Sequence, residues 1–450
     1  MLGSLTRAHR GTESPASGPA TVQKLRGGSL IRDTPTGKPA EPEANAGTGT
    51  APQDAGCGRT GIWLIGARGS VATTAVIGLA AIASGVAKPQ GCVTAQACFD
   101  GVPLPDFADL VVGGHDISGV SMPKRAERLA DAGMLPGDLL ASVQAQLEEA
   151  ESRVRPGYDP DGAPEPQGDA ARRLAGDILA FEESNGLRRV IVLDVASTEA
   201  PPVPLEEHSD AARLAEALAD PGRPVLPASS VAAYAAVLSG SPYICFTPSA
   251  SLNIPALYEL AGADRVPTAG QDGKTGQTWL RSVLAPALSA RGLQVLSWAG
   301  TNLLGGGDGA TLADSRAVSG KLLSKNRGLR ELTGGAVTPL HIDNVPDLGE
   351  TKVAWDHIHA EGFLGSRLTL QTTWTAYDSM LAAPMVLDLA RLMALADAAG
   401  ETGPVAALGF FFKDPWGSAD HSFARQTENL LQWAHAAGAR IASAARDGQQ

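Results

Sequence analysis

The stretch Gly61–Gly69, GIWLIGARG, restricts the fold more than any other. Ile62–Ile65 is a short apolar strand, Gly66-Ala67-Arg68-Gly69-Ser70 makes a turn, and the residues from Val71 onward have helical composition. Strand, glycine turn and helix start together can hold a pyrophosphate, because the first N–H groups of a helix lack partners and sit at the positive end of its dipole. Only GxxG of the dinucleotide fingerprint GxGxxG is present, so an ordinary tight turn fits the same residues. The next segments of the chain favour a nucleotide. Asp109–Asp116, DLVVGGHD, is a strand ending in glycines and an acid, Asp116, where a ribose-binding group sits in such folds. Arg188–Ser197 is a continuous apolar strand preceded by the amphipathic Ala170–Glu183, and Ser239–Leu252 repeats a strand followed by small polar residues. Runs apolar on both faces are parallel strands covered on both sides, and their alternation with helices predicts a doubly wound α/β sheet. Residues 118–170, rich in Pro, Glu and Arg, read as an excursion from that core.

The second half is marked by its lysines. The chain has nine, against three times as many arginines, and the last five (274, 321, 325, 352 and 413) all fall in glycine-, proline- or acid-bearing motifs. Arginine is always charged, whereas a buried lysine can lose its proton and take part in proton transfer or Schiff-base chemistry. A glycine turn, Gly305–Gly309 with Asp308 inside it, leads to Lys321 and Lys325. On a helix two lysines four apart share a face and repel each other, which an anion between them would reverse; a solvated basic face is the plainer alternative. Ala269–Thr278, AGQDGKTGQT, is a small-residue loop entering the helical Trp279–Leu288, and its N–H groups, Thr275, Thr278 and Lys274 suit a phosphate. Its GKT lacks the upstream glycine of a nucleotide-hydrolysing P-loop. Val345–Trp355 places Lys352 at the start of an apparent helix, Thr369–Thr375 alternates like a strand, Asp378–Ala394 is a strongly apolar helix, and Ala406–Pro415 reads as a buried strand delivering Lys413. His357 and His359, taken as helical, would not share a face and read as surface histidines; no metal site is expected.

Composition excludes several classes. Net charge −12 and a pI near 5.2 argue against a nucleic-acid partner while leaving room for a local basic pocket. Cys57, Cys92, Cys98 and Cys245 form no CxxC and no disulfide framework, which suits a reducing cytoplasm. Val71–Ala87 is apolar but interrupted by Thr73, Thr74, Gly78, Ser84 and Gly85, so a buried helix is expected rather than a membrane span. Residues 1–56 lack apolar periodicity and an h-region and read as a disordered tail, not a secretory signal.

Five ordered motifs give the chain a resemblance to the myo-inositol-1-phosphate synthase (inositol-3-phosphate synthase) family over roughly 58–430. They are Asn302 with the Gly305–Gly309 turn and the Lys321/Ser324-Lys325 pair; Gly270–Thr278, against the family's GDDxKSGQT; Leu348–His357, against VGDSKxAxDE; Tyr377–Leu389, against EDSLLAxPxxxDL; and Phe412–Pro415, against LKAP. The resemblance implies that NAD oxidises C5 of glucose 6-phosphate, that the C6 enolate closes on the C1 aldehyde, and that the ring ketone is then reduced. It implies that Lys321 and Lys413 sit near the reacting carbons. Lys325 and Lys352 would grip phosphate with Thr275, Gly276, Gln277 and Thr278. Asp272 would lie near the nicotinamide and Asp378 would orient a lysine. The NAD side would be formed by Gly66, Ala67, Arg68, Gly69, Ser70, Asp116, Ser197, Thr198, Ser249, Asp272, Asn302 and Asp308. On that side the chain departs from the family: its first glycine turn is shorter than GxGGNxGS, and Ser197-Thr198-Glu199 stands where the family has Asn-Thr-Glu.

The expected organisation is a tail over 1–56, a Rossmann-type NAD-binding domain over 57–300, an inserted α+β catalytic and tetramerisation domain over 301–403, and a return to the first domain over 404–450 that carries Lys413. The resemblance implies a homotetramer. A simple sugar-phosphate dehydrogenase is the alternative; it would accumulate NADH, has no use for four lysines around one substrate, and a non-catalytic NAD-binding protein would have no need of them either.

Overall fold

The computed structural model describes residues 57–305 and 328–447. The N-terminal stretch 1–56, together with Asp308, Lys321 and Lys325, lies outside the described residues. In chain order the elements are β1 Thr60–Ile65, α1 Ser70–Ala83, β2 Leu110–Asp116, α2 Met122–Asp131, α3 Gly137–Ser142, α4 Gln144–Ser152, β3 Val154–Pro156, α5 Gln167–Ser184, β4 Arg189–Asp194, α6 Ala211–Ala217, α7 Ala228–Leu238, β5 Tyr243–Cys245, α8 Pro255–Ala261, β6 Pro267–Ala269, α9 Gln277–Ala290 and β7 Gln294–Leu304. After the gap in description come β8 Leu340–Asn344, β9 Thr351–Glu361, β10 Arg367–Tyr377, α10 Asp378–Ala398, β11 Gly403–Pro404 and α11 Phe423–Asp447.

Seven parallel strands form the first sheet in the order β11-β6-β5-β4-β1-β2-β3. The chain starts in the middle, runs out to one edge and returns to run out to the other. The order therefore reverses between β1 and β4, and in doubly wound sheets the crevice beyond the strand ends at that point is where ligands bind. Strands β1 and β4 are buried almost throughout, as their unbroken apolar runs predict. The expected doubly wound α/β architecture is the one observed.

Helix α10 is apolar on every side and enclosed by protein, packing along α1. It is the one described helix long and apolar enough to cross a membrane, but 78% of its most apolar window is buried within the fold. A helix without a polar face is the signature of a core helix as well as of a span. All four cysteines are free thiols.

The second sheet has the order β10-β9-β7-β8, antiparallel except between β7 and β8. Here two expectations fail. Lys352 is the second residue of strand β9, not the start of a helix: after it the inward residues are Ala354, Asp356, Ile358 and Ala360, a period of two obscured by the charged Asp356 on the core face. His357 and His359 are then two apart on a strand and share its outer face. The argument that kept them apart does not hold, although no group of three metal-binding side chains occurs among the described residues. Ala406–Pro415 also differs: Ala406–Phe411 is a 3-10 helix, only Phe412 after it is bridged in the manner of a strand, and Lys413 lies in the bend that follows. Short apolar runs do not distinguish strand from helix by periodicity. The stretch 118–170 is bound into the core, since Met122, Ala126, Leu129, Val143, Leu147 and Ala150 join the main apolar cluster and β3 extends the sheet.

Asp356 has a reason to face inward. Its Oδ1 accepts from Arg281 Nε (3.1 Å) and Nη2 (2.7 Å) and from Trp298 Nε1 (2.8 Å), and its Oδ2 accepts from Gln277 Nε2 (3.0 Å). The ion pair is 2% exposed on each side. It ties the start of α9 to the strand that carries Lys352.

Candidate active site

The carboxyl ends of β1, β2 and β4 open on a cavity of about 560 Å³. Gly66, Arg68, Gly69 and Ser70 of the first turn line it, with Asp116, Ser118, Arg125, Asp194, Ser197, Glu199 and Ser229 around it. At its far end stand Gly305, Glu350, Lys352, Asp378 and Ser379. The turn is fixed to β2: Gly66 N and Ala67 N donate to the His115 carbonyl, and Arg68 N donates to Asp116 Oδ2 at 2.7 Å. Gly66 has φ +81°, and a Cβ there would meet the Ala196 backbone at 2.6 Å, so only glycine fits. No side chain caps α1 at Gly69, which leaves its first N–H groups without a side-chain partner where Gly69, Ser70 and Val71 line the cavity. Uncapped helix N-terminus, glycine cradle and terminal acid form a donor set that fits a dinucleotide.

The second part of the site is assembled from three distant segments. Backbone pairing joins Gln271–Lys274 to Phe411–Asp414: Gln271 N donates to Asp414 O (2.8 Å), Lys413 N to Asp272 O (2.8 Å) and Lys274 N to Phe411 O (2.8 Å). Asp272 is held at φ +63°, unusual for a residue with a side chain. The pairing sets Lys413 Nζ 2.6 Å from Asp272 Oδ1. Beside it, Lys352 Nζ donates to Asp378 Oδ2 (3.0 Å) and Thr275 Oγ1 to Asp378 Oδ1 (2.8 Å). Burial alone would raise the Asp378 pKa, but the Lys352 ammonium, the Thr275 hydroxyl and the nearby Lys413 outweigh it and hold the carboxyl well below its usual range. Asp378 is an anion at any ordinary pH. Helix α9 begins at Gly276–Gln277 without a side-chain cap, so its N-terminal N–H groups are available to an anion next to Thr275.

Other residues singled out in the sequence fall elsewhere. The Gln277 side chain is spent inside the fold, donating to Asp356 and accepting from Asn302 Nδ2 at 2.7 Å, so only its backbone N–H is left for a ligand. Asn302 is fully buried in that network and does not line the cavity. Ser249 is buried and accepts from Glu199 N, while Thr198 and Ala67 stand beside lining residues without lining the cavity themselves. Thr278 Oγ1 is buried without a partner among the described residues. Arg125, Glu199 and Ser229 line the cavity and were not picked out from sequence. The polar Ser229 at the start of a helix was the one available signal, and Glu199 accepts from its N–H.

Residues 60–435 match the family model described as myo-inositol-1-phosphate synthase. The chain belongs to this family. Among its relatives, inositol-3-phosphate synthase 1 of Bacteroides thetaiotaomicron is 34% identical over 410 residues, covering 84% of this chain and 93% of that one. Inositol-3-phosphate synthase 1 of Oryza sativa is 31% identical over 318 residues, covering 65% of this chain and 61% of the rice protein. The crystal structure of inositol-3-phosphate synthase from Caenorhabditis elegans superposes with a TM-score of 0.74 at 25% identity, covering 84% of this chain and 86% of that one. A myo-inositol-1-phosphate synthase-related protein from Thermotoga maritima shares the fold, with a TM-score of 0.63. The family's architecture, a seven-stranded parallel sheet with a separate mixed four-stranded sheet, is the one this chain adopts.

Proposed function

We propose that the protein converts D-glucose 6-phosphate to 1D-myo-inositol 3-phosphate with a bound NAD. The observation that carries this reading is a pair of lysine–aspartate contacts: Lys352–Asp378 at the end of the dinucleotide cavity, and Lys413–Asp272 close enough for the Lys413 charge to act on Asp378. Gly66, Gly69, Ser70 and Asp116 would hold the NAD, with Ser197 along its edge. When bound, NAD supplies reversible hydride acceptance at C5, so the overall reaction is redox-neutral.

The chain's own groups account for the rest. The N–H groups of Gln277 and Thr278 and the Lys352 ammonium form a phosphate seat, with Asp378, held by the Thr275 hydroxyl, orienting Lys352. Asp272 and Lys413 are directly bonded, so a proton can pass between a substrate hydroxyl and this pair. With C5 as a ketone, loss of a C6 proton gives an enolate, and its attack on the C1 aldehyde leaves an alkoxide. Ammonium groups fixed around those oxygens stabilise both anions. Lys321 and Lys325 are proposed to complete the set, the first at the reacting carbons and the second at the phosphate.

A homotetramer assembled through the second sheet goes with this reading. Its support is apolar surface beside the free edge strand β10: Leu368 is exposed on that strand, Trp355 on its neighbour β9, and Phe363 and Leu364 on the turn between them. A monomeric mass by light scattering would refute it. Free thiols throughout and an acidic composition support a cytoplasmic setting. The catalytic claim is tested by Lys413→Ala and Lys352→Ala. Both should abolish inositol phosphate formation, and NAD binding should persist because neither lysine holds the adenosine end.

A further inference from the structure

The adenosine end of the cavity carries opposed signals. Asp116 at the end of β2 suits a ribose with both hydroxyls, whereas Arg68 in the glycine turn and Arg125 on α2 suit a 2′-phosphate; all three line the cavity. Asp116 is fixed by two backbone donors, Arg68 N (2.7 Å) and Ser118 N (2.6 Å), which leave it acceptor capacity for a diol. The Arg68 guanidinium is drawn away by a residue behind the cavity wall. Its Nε and Nη2 donate to Glu151 Oε1 at 3.0 and 2.6 Å, and its Nη1 donates to the Ser118 carbonyl at 2.7 Å. Glu151 is itself held, because its Oε2 accepts from Met122 N at 2.8 Å at the start of α2. Arg125 donates through Nε to the Arg68 carbonyl, and no carboxylate pairs with it among the described residues. The corner therefore holds two guanidiniums and two carboxylates and is electrically balanced.

We infer that Glu151, through its hold on Arg68, is the specificity-determining residue that makes this site take a dinucleotide lacking the 2′-phosphate. Asp116 repels a phosphate directly, but with two arginines beside it that repulsion alone is outweighed. Glu151 supplies the second negative charge and occupies the fork that would grip the phosphate bidentately. The selectivity is thus set by a residue that never touches the cofactor, delivered from α4 and about eighty residues along the chain from the glycine turn.

The inference rests on the dinucleotide site proposed for this cavity, and the two can fail separately. The test is fluorescence titration of the full-length protein with NADH and with NADPH. Wild type should bind NADH and discriminate against NADPH. Glu151→Gln should tighten NADPH by about tenfold or more while NADH changes by less than about threefold. Arg68→Ala/Glu151→Gln should lose that gain, because the effect runs through Arg68. Should Glu151→Gln fail to fold through loss of its bond from Met122 N, Glu151→Asp is the second variant; its shorter arm releases Arg68 and should move the NADPH/NADH ratio in the same direction. An unchanged ratio in a folded Glu151 variant overturns the inference and leaves the dinucleotide site intact. Wild type binding neither dinucleotide overturns both.

Discussion

Replacing Asp356 with alanine removes one carboxylate and strands four donors. Arg281 Nε and Nη2, Trp298 Nε1 and Gln277 Nε2 would all lose their acceptor in a region closed to water, and Arg281 Nη1 already lacks one among the described residues. Breaking a buried ion pair from one side costs about 3–5 kcal/mol, because the remaining charge is left uncompensated. With an unfolding entropy of about 2.1 cal/mol/K per residue, about 1 kcal/mol moves Tm by roughly 1.2 °C in a folded unit as long as Pro52–Gln450, so Tm should fall by roughly 4–6 °C. The pair is not inherently stabilising. Arg281→Met/Asp356→Leu should recover most of the loss, since apolar replacement of both partners is often neutral. Thermal melting of the two single variants and the double variant closes the cycle, with a strong coupling expected. Single variants melting within a degree or two of wild type would refute the view that this network bolts α9 to β9. Any surviving Asp356→Ala protein should bind inorganic phosphate more weakly, because the start of α9 loses its tie to the strand bearing Lys352.

Lys274 gives a pH signature. Burial pushes its pKa down to about 7, only partly offset by Asp420, while the unfolded amine titrates near 10.5. Between these values the unfolded chain binds more protons than the folded one, so stability should rise with pH across that window. Relative to Lys274→Met, wild type should be least stable below pH 7 and gain as the pH rises towards 10; parallel denaturation curves across pH would contradict this. Gly273→Ala tests the weave that positions Asp272: a Cβ there would lie 2.3 Å from the Phe246 ring. It should cost about 1–3 kcal/mol as an overpacking and lower turnover more than that loss explains, a result that unchanged kcat would overturn.

Much of the fold is legible along the chain because its signals are local. Apolar runs at β1, β2 and β4, the glycine turn and the small-residue loop before α9 each announce themselves within ten residues. The second sheet is harder. Asp356 interrupts the inward face of β9 with a charge whose partner, Arg281, is 75 positions away, so the alternation that marks a strand is broken where it would be read. The site divides in the same way. Asp272 and Lys413 are 141 residues apart and meet through backbone pairing that no spacing reveals; only the family resemblance put them in one motif set. That resemblance also drew Asn302 and the side chain of Gln277 toward ligand roles, whereas in the core Asn302 Nδ2 donates to Gln277 Oε1, and Asn302 Oδ1 has no partner among the described residues. Residue type told what these groups can bond to, not which neighbour they would find. Glu151 escaped notice for the same reason, as one glutamate among several on a polar helix.

A redox-neutral cyclase can be told from a dehydrogenase by incubating the purified protein with glucose 6-phosphate and a catalytic amount of NAD, following phosphorus NMR and absorbance at the NADH band together. The proposed chemistry predicts an inositol phosphate formed over many turnovers with no accumulating NADH, and loss of that product in Lys413→Ala. An oxidised sugar phosphate formed in step with NADH would contradict it.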